Sequence, residues 1–130
     1  MRSELLSYTL KREHLFRGKG KNDNKWHEGY LFKHWDKTYI LWGMTDDVPN
    51  MVEVVPESVG EYTESNDVAD EKIFTGDKVR CRAVFEGEVE IGTVFFDCID
   101  SKYSILIYWG ERPITIDLGR AFDVRRIDNE

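Results

Sequence analysis

Short stretches in which apolar and polar residues alternate make up most of the chain from Leu15 onward. Because successive side chains of a strand point to opposite faces, this alternation predicts half-buried β-strands. In the first half of the chain the pattern predicts four short strands or extended segments: 26–32, 37–42, 51–55 and 59–63. The segments before and between them are rich in turn residues and are predicted as loops or turns: 17–24, 33–36 and 43–50.

The second half of the chain has a denser strand pattern. Five strands are predicted there: 78–85, 91–98, 104–109, 115–118 and 122–127. Their short connections predict a small, strongly bent antiparallel sheet or barrel of the SH3-like kind. The expected fold class is therefore mainly β, α+β at most, with an N-terminal β-hairpin lobe, a C-terminal SH3-like small barrel and few short helices.

The chain length and one change in composition predict the domain organisation. A chain of 130 residues has the size of a single domain. Within it the sequence predicts an N-terminal extension, a β lobe, an acidic linker and a barrel lobe, at 1–13, 14–63, 64–71 and 72–130. In the extension, leucines at near-helical spacing follow Ser3, which can cap a helix, so a short helix and a frayed extension are both open. No internal repeat is visible in the sequence.

Composition and charge narrow the classes of function. The chain is 41% hydrophobic and 33% charged, as soluble globular domains are, with a net charge of -7 and a pI near 5.0. Affinity for duplex nucleic acid comes largely from lysine and arginine on phosphates, so duplex binding is not expected. No apolar run approaches the ~20 residues that cross a bilayer, and no signal-peptide pattern is present. We expect a cytoplasmic protein that does not enter membranes.

The cysteines and histidines give no metal-binding pattern. Cys81 and Cys98 belong to no C-x-x-C motif, and both are interpreted as small core or strand residues. His14, His27 and His34 form neither H-x-H nor H-E-x-x-H, and surface or partner-contacting histidines account for them better than a metal site. No metal or other cofactor is expected.

Three blocks of the sequence follow one another between residues 15 and 80. They are FRGK at 16–19 with Trp26 and Gly29-Tyr30, VVPESVGEYT at 54–63 and KIFTGDKVR at 72–80. In order and spacing they resemble the signature blocks of the YopX-like family, small proteins typical of phages and prophages of bacteria. The resemblance implies a mainly β protein with an SH3-like barrel in its C-terminal part, encoded by a phage or prophage and acting in the host cytoplasm. It brings no established activity and no catalytic residue.

A basic segment in the first predicted loop is one candidate binding site. Arg17, Lys19 and Lys21 lie in a glycine-rich stretch. A Walker-type phosphate loop is excluded because the glycine and lysine spacing differs and a strand follows the stretch. The segment is interpreted either as a solvated hairpin tip or as a lip that binds an anion or an acidic partner.

Aromatic residues are concentrated in one part of the first half: Trp26, Tyr30, Trp35, Tyr39 and Trp42. On a strand, Trp26, Tyr30 and Phe32 would share one face. Most of these side chains are expected in the core. Those that remain exposed could stack on bases or anchor in a pocket of a partner, as Trp and Tyr often do at interfaces.

An acidic belt between residues 46 and 77 contains a single lysine. Its candidate partner-binding residues are Asp46, Asp47, Glu57, Glu61 and Glu64, and its other members are Glu53, Asp67, Asp70, Glu71 and Asp77. The belt is interpreted either as a solvated face or as a surface that imitates nucleic-acid charge and occupies the basic groove of a nucleic-acid enzyme.

These features favour a non-enzymatic interaction module that binds and modulates a host or phage protein through its acidic or aromatic surface. Neither cysteine has the local signature of a cysteine hydrolase and no Gly-x-Ser-x-Gly elbow occurs, so enzymatic activity is not expected. Two alternatives stay open: a β protein that binds single-stranded nucleic acid, and a sponge or minor enzyme that binds a nucleotide signal. A homo-oligomer is also left open.

Overall fold

The computed structural model describes residues 14–127, so the predicted N-terminal helix lies outside the described residues. Within 14–127 the chain is mainly β, which confirms the predicted fold class. The strands are β1 (Phe16–Lys19), β2 (Trp26–His34), β3 (Lys37–Thr45), β4 (Val48–Glu53), β5 (Gly60–Asn66), β6 (Lys72–Phe74), β7 (Lys78–Arg82), β8 (Val89–Asp97), β9 (Lys102–Trp109), β10 (Arg112–Asp117) and β11 (Phe122–Ile127). Two single-turn 3₁₀ helices, Pro56–Ser58 and Leu118–Arg120, precede β5 and β11. In this part of the chain no helix has the length and apolar composition needed to cross a membrane.

The chain divides into two compact units with a boundary between Glu64 and Ser65. The boundary falls inside β5, near the start of the stretch 64–71 that the sequence predicts as a linker. That stretch forms the end of β5 and a tight turn into β6, in which the Asp67 N–H donates to the Glu71 carbonyl at 2.8 Å. The polar residues of this stretch therefore belong to a strand end and a tight turn.

The strands form two antiparallel sheets whose orders are β4-β3-β2-β1-β5-β6 and β10-β9-β8-β7-β11. Both orders contain the same arrangement: a meander of four strands, a 3₁₀ turn, and a last strand that returns to pair with the first. The loops 20–25 and 83–88 after the first strands have equal length. The two units therefore repeat one topology, although the sequence shows no repeat. The prediction of an SH3-like barrel remains a prediction.

The strand registers repeat as well. In the first unit Arg17 lies opposite Glu28 on one side and Gly60 on the other. In the second unit Arg80 lies opposite Ile91 on one side and Arg125 on the other. The β2–β3 and β8–β9 hairpins have equivalent registers as well. The paired residues Tyr30–Leu41 and Thr93–Leu106 begin four residues after the first residue of β2 and of β8. Residues of the two units can therefore be compared position by position.

A glycine lies at the bend of the long second strand in each unit. β2 pairs with β1 up to Gly29 and with β3 from Tyr30 onward, and β8 is shared in the same way around Gly92. A Cβ atom on Gly29 would lie 2.0 Å from the Leu41 carbonyl oxygen, and one on Gly92 would lie 2.5 Å from that of Leu106. Backbone approach this close leaves room only for glycine.

The cores of the two units differ in size and composition. The second unit has a contiguous cluster of buried residues: Ile73, Val79, Cys81, Val94, Ile105, Ile107, Leu118 and Val124. Among residues 14–64 of the first unit the fully buried aliphatic side chains are Ile40 and Val54, and Thr38 and Thr63 are also buried. Within the described part of the chain, fewer apolar side chains are therefore fully buried in the first unit.

Two segments predicted as loops belong to strands. Residues 17–19 are part of β1 because this short strand pairs with both β2 and β5. Residues 43–50 form the β3–β4 hairpin, whose turn residues Asp46 and Asp47 have φ of 50° and 64°. Positive φ at both central residues fits a two-residue hairpin turn, a conformation that aspartate tolerates. The turn residues thus mark a hairpin tip and not a longer loop.

Candidate functional site

The outer face of β2 carries three large aromatic side chains. Trp26, Tyr30 and Phe32 alternate along the strand and are 39%, 62% and 42% exposed. The residues between them point to the other face, where Gly29 is buried and Leu31 half-buried. The three aromatic side chains lie on one face of the strand, as predicted. The expectation that most of the aromatic residues between Trp26 and Trp42 lie in the core is wrong. The core side of the sheet is occupied by Ile40 of β3 and by Val54, which leaves the rings outside.

The basic residues of β1 lie against the first of these rings. The Arg17 guanidinium carbon is 4.4 Å from the centre of the Trp26 ring, and the Lys19 ammonium is 5.8 Å from it. Both distances are within the range of cation–π attraction. Arg17 is only 6% exposed, so the interpretation of this segment as a solvated tip is wrong for Arg17. Lys21, in the turn after β1, is exposed and pairs with Glu53 at 3.2 Å.

An apolar groove of about 400 Å³ lies on the same part of the first unit. It is lined by side chains of β2 and β3, among them Tyr30, Leu41, Trp42 and Met44. A β-bulge between Leu41 and Gly43 inserts Trp42 as an extra residue of β3. Bulges redirect side chains, and here the inserted residue is a tryptophan that is 57% exposed at the groove.

A row of rings continues from this face to the tip of the β2–β3 hairpin. Tyr39 lies 6.2 Å from Phe32, the Phe32 and His34 rings are nearly parallel at 6.3 Å, and Trp35 meets His34 edge-on at 5.9 Å. Trp35 is 90% exposed with a φ of 59°. A bulky residue in this left-handed region is strained, and a tryptophan so exposed contributes little to the fold. Both features are typical of a contact residue.

The turn that precedes β2 is ordered by one aspartate. Asp23 accepts a hydrogen bond from the Lys25 backbone N–H at 3.0 Å and contacts the His27 ring nitrogen at 2.8 Å. The Lys25 N–H, with a further contribution from His27, lowers the pKa of Asp23. The His27 ring therefore contacts a residue of the preceding turn. Among residues 14–127 no group of three His, Cys, Asp or Glu side chains could hold a metal ion.

The acidic belt does not form one surface. Asp67 and Asp77 are buried, at 7% and 1% exposure, and hold the backbone of the second unit. Asp67 accepts hydrogen bonds from the backbone N–H groups of Ala69, Glu71 and Arg126, each at 2.9 Å. Burial opposes its ionisation, but these donors and the Arg126 charge together lower the pKa of Asp67. Its role is therefore structural.

The five candidate partner-binding residues of the belt lie at separate places in the first unit. Asp46 and Asp47 form the exposed tip of the β3–β4 hairpin, Glu57 lies exposed in the first 3₁₀ helix, and Glu61 and Glu64 belong to β5. Glu61 is half-buried. A charge-imitating surface would not include the two buried aspartates.

The two cysteines differ in environment. Cys81 is buried in the core cluster of the second unit, as expected, and burial, with a smaller contribution from Glu90, raises the pKa of its thiol. Cys98 is exposed in the turn after β8, so its interpretation as a core or strand residue is wrong. A thiol that is harder to ionise is a poor nucleophile, which argues against catalysis by Cys81.

The structure assembles a site that the sequence indicated only in part. Trp26, Tyr30 and Trp42 belong to the first unit's outer face, and Trp35 lies at the end of the row of rings. Leu41, Met44 and Met51 were missed, although β3 pairing brings Leu41 opposite Tyr30 and Met51. Searches against protein-family models, curated proteins and solved structures give no match to this chain.

Proposed function

We propose that this protein is a non-enzymatic interaction module that binds a protein partner through the aromatic face. This name denotes the outer surface of the first unit formed by Trp26, Tyr30, Phe32, Leu41, Trp42, Met44 and Met51. The observation that carries the proposal is the exposure of the aromatic and methionine side chains of this face beside an apolar groove of about 400 Å³. Exposed aromatic and methionine side chains around a groove are typical of protein interaction sites.

Two features of the aromatic face favour a protein partner over single-stranded nucleic acid. Glu28 lies exposed between Trp26 and Tyr30 on the same strand face and would repel a phosphate backbone. The Arg17 guanidinium already covers one side of the Trp26 ring, which leaves less of it for a base. Apolar side chains of a protein partner meet neither obstacle, because they fill the groove and bring no phosphate charge.

The three sequence blocks support a place for this module among YopX-like proteins, encoded by a phage or prophage and acting in the host cytoplasm on a host or phage protein. The repeated strand order, with a 3₁₀ turn before the last strand, supports an SH3-like barrel in the C-terminal part. An acidic contribution to partner binding would come from Asp46, Asp47, Glu57, Glu61 and Glu64. Binding that weakens as ionic strength rises supports this contribution, and salt-independent binding argues against it.

The aromatic face has a closely matched control in the second unit. Tyr30 and Trp42 are 62% and 57% exposed, and Tyr108 and Trp109 of β9 are 61% and 54% exposed. The test compares the wild-type chain with the double variants Tyr30→Ala/Trp42→Ala and Tyr108→Ala/Trp109→Ala as baits in bacterial lysate. Proteins retained by the wild type are then identified and their affinities measured with purified partner.

The proposal predicts that a partner retained by the wild type is also retained by Tyr108→Ala/Trp109→Ala and lost with Tyr30→Ala/Trp42→Ala. Hot-spot residues of this kind each contribute roughly 2 kcal/mol or more to binding. Equal loss with both double variants, or retention by both, contradicts the proposal. Quenching of tryptophan fluorescence by a single-stranded oligonucleotide at low salt, abolished in the first double variant alone, would instead assign the face to nucleic acid.

A further inference from the structure

A groove on the second unit is lined by three arginines. Arg80 and Arg82 of β7 and Arg125 of β11 surround a space of about 300 Å³. Val68, Val89 and Cys81 also line it, together with Asp123. Along β7 the buried residues Val79 and Cys81 alternate with Arg80 and Arg82. The two arginines therefore share the outer face of the strand. We call this the arginine groove. It lies outside the aromatic face and on the other unit of a chain whose net charge is -7.

Two of the arginines face each other across neighbouring strands. Arg80 and Arg125 are direct partners in the antiparallel β7–β11 pairing. Like charges in this position destabilise a sheet, because the side chains stand close together on one face. Within residues 14–127 neither of them has a carboxylate partner, whereas Arg82 lies 3.6 Å from the Asp123 carboxylate. Among the described residues, Arg80 and Arg125 therefore bring two positive charges to the groove that no ion pair neutralises, whereas the charge of Arg82 is balanced by Asp123.

A β-bulge in β11 creates this pair. Phe122 lies opposite Arg82, but Arg125, and not Val124, lies opposite Arg80, so β11 contains one extra residue between these pairs. Asp123, inside the bulge, has a φ of 54°. Without the extra residue Arg125 would lie opposite Val79 and point to the core side, because a shift of one residue turns a side chain to the other face.

Both the bulge and the arginine pair oppose stability, and a bound anion accounts for both. Bulges occur next to sites where they redirect a side chain, and strained residues persist where a function requires them. In the first unit the position of Arg125 is occupied by Gly60, and Arg17, at the position of Arg80, rests on the Trp26 ring. The opposed pair is thus a specific feature of the second unit.

We propose that the arginine groove binds the phosphate group of a small phosphorylated molecule. Guanidinium groups form paired, charge-assisted hydrogen bonds with phosphate oxygens, and two opposed arginines present such donors from both sides. The groove volume corresponds to the lower end of small-molecule sites. Arg82 is paired with Asp123 and so adds hydrogen-bond donors but no net charge, and the valines contact the uncharged part of the ligand.

Calorimetric titration of the full chain with inorganic pyrophosphate at low ionic strength tests the proposal, with citrate as a carboxylate ligand of comparable charge. The variants are Arg80→Gln and Arg125→Gln, and the control is Arg112→Gln on β10 of the same sheet, which is also exposed. Each groove variant is expected to weaken pyrophosphate binding about tenfold or more, whereas the control leaves it unchanged. Arg125→Gln is also expected to raise the Tm of the ligand-free chain because it removes the repulsion from Arg80.

Four results overturn the proposal. The wild type shows no binding of pyrophosphate, or Arg112→Gln weakens binding as much as the groove variants do. Citrate binds more tightly than pyrophosphate, which assigns the groove to carboxylates. Arg125→Gln lowers the Tm, which makes Arg125 a structural residue.

Discussion

The two units have one topology and one set of registers, but they place different residue types on the same positions. Where the first unit has Trp26 and Tyr30 on the outer face, the second has Val89 and Thr93. Where the second has Arg125 opposite Arg80, the first has Gly60 opposite Arg17. The backbone is therefore specified by a few buried and turn positions, and the outer face is available for two different kinds of contact.

The buried faces of the two units also differ in composition. Among the described residues, the second unit buries a contiguous aliphatic cluster, whereas the first buries fewer aliphatic residues together with two threonines. Its aromatic residues would add apolar burial if they pointed inward, yet they lie outside. Their exposure costs the first unit potential stability, which is the reason for assigning them to binding.

The largest effect is expected from truncating the two equivalent core isoleucines. Ile40 and Ile105 are both 0% exposed and precede the equivalent Leu41 and Leu106. Each change to alanine is expected to lower the free energy of unfolding by about 2–5 kcal/mol, with the greater loss for Ile105→Ala in the larger cluster. Urea denaturation of the two variants measures this. A greater loss for Ile40→Ala would mean that the first unit has the better-packed core.

A smaller effect is expected at the bend glycines, where the same change tests whether the repeat is real. Gly29→Ala and Gly92→Ala place a methyl group against a backbone carbonyl, so each is expected to cost about 1–3 kcal/mol. Gly43→Ala is the control, since its Cβ would meet only the Asn50 amide nitrogen at 3.6 Å. Thermal or urea unfolding gives the values. A cost at only one bend glycine would show that the two bends are held differently.

The smallest effect is expected from Asp67, a buried aspartate of the second unit, which makes that unit more sensitive to acid than the first. Its folded-state pKa lies below the ordinary value of 3.8, so ionised Asp67 stabilises the folded chain above that pH. The contribution is lost as the pH falls below 3.8 through the folded pKa. Asp67→Asn is expected to cost about 1–2 kcal/mol near pH 7, because an amide replaces one of its accepting oxygens and the charge near Arg126 is removed.

The measurement compares urea unfolding of the wild type and Asp67→Asn at pH 7 and near pH 3. The difference between the two proteins should shrink at the lower pH, because pH 3 lies below the ordinary pKa of 3.8 and the Asp67 carboxyl of the unfolded chain is then largely protonated. Asp23→Asn in the first unit is the control, since Asp23 also has a lowered pKa but lies on an exposed turn. A difference for Asp67→Asn that stays constant with pH would contradict a stabilising carboxylate.

The sequence predicted the strand content because alternation is a local property. The strands at 26–32, 37–42, 104–109 and 122–127 were found close to their observed bounds. Loops were predicted less well, since the turn residues of 43–50 are compatible with both a loop and a hairpin tip. The three aromatics of β2 were correctly placed on one face, but alternation does not say which face is buried.

What the sequence by itself determined is the mainly β character and the side-chain parity of each strand, because both depend on neighbours along the chain. Tertiary structure decided which face became core, since that depends on where Ile40 and Val54 from other strands pack. It also decided the repeat, which resides in register and not in residue identity. Finally, the bulges at Trp42 and near Arg125 arise from the pairing of two strands. The sequence of one strand does not determine its register with another.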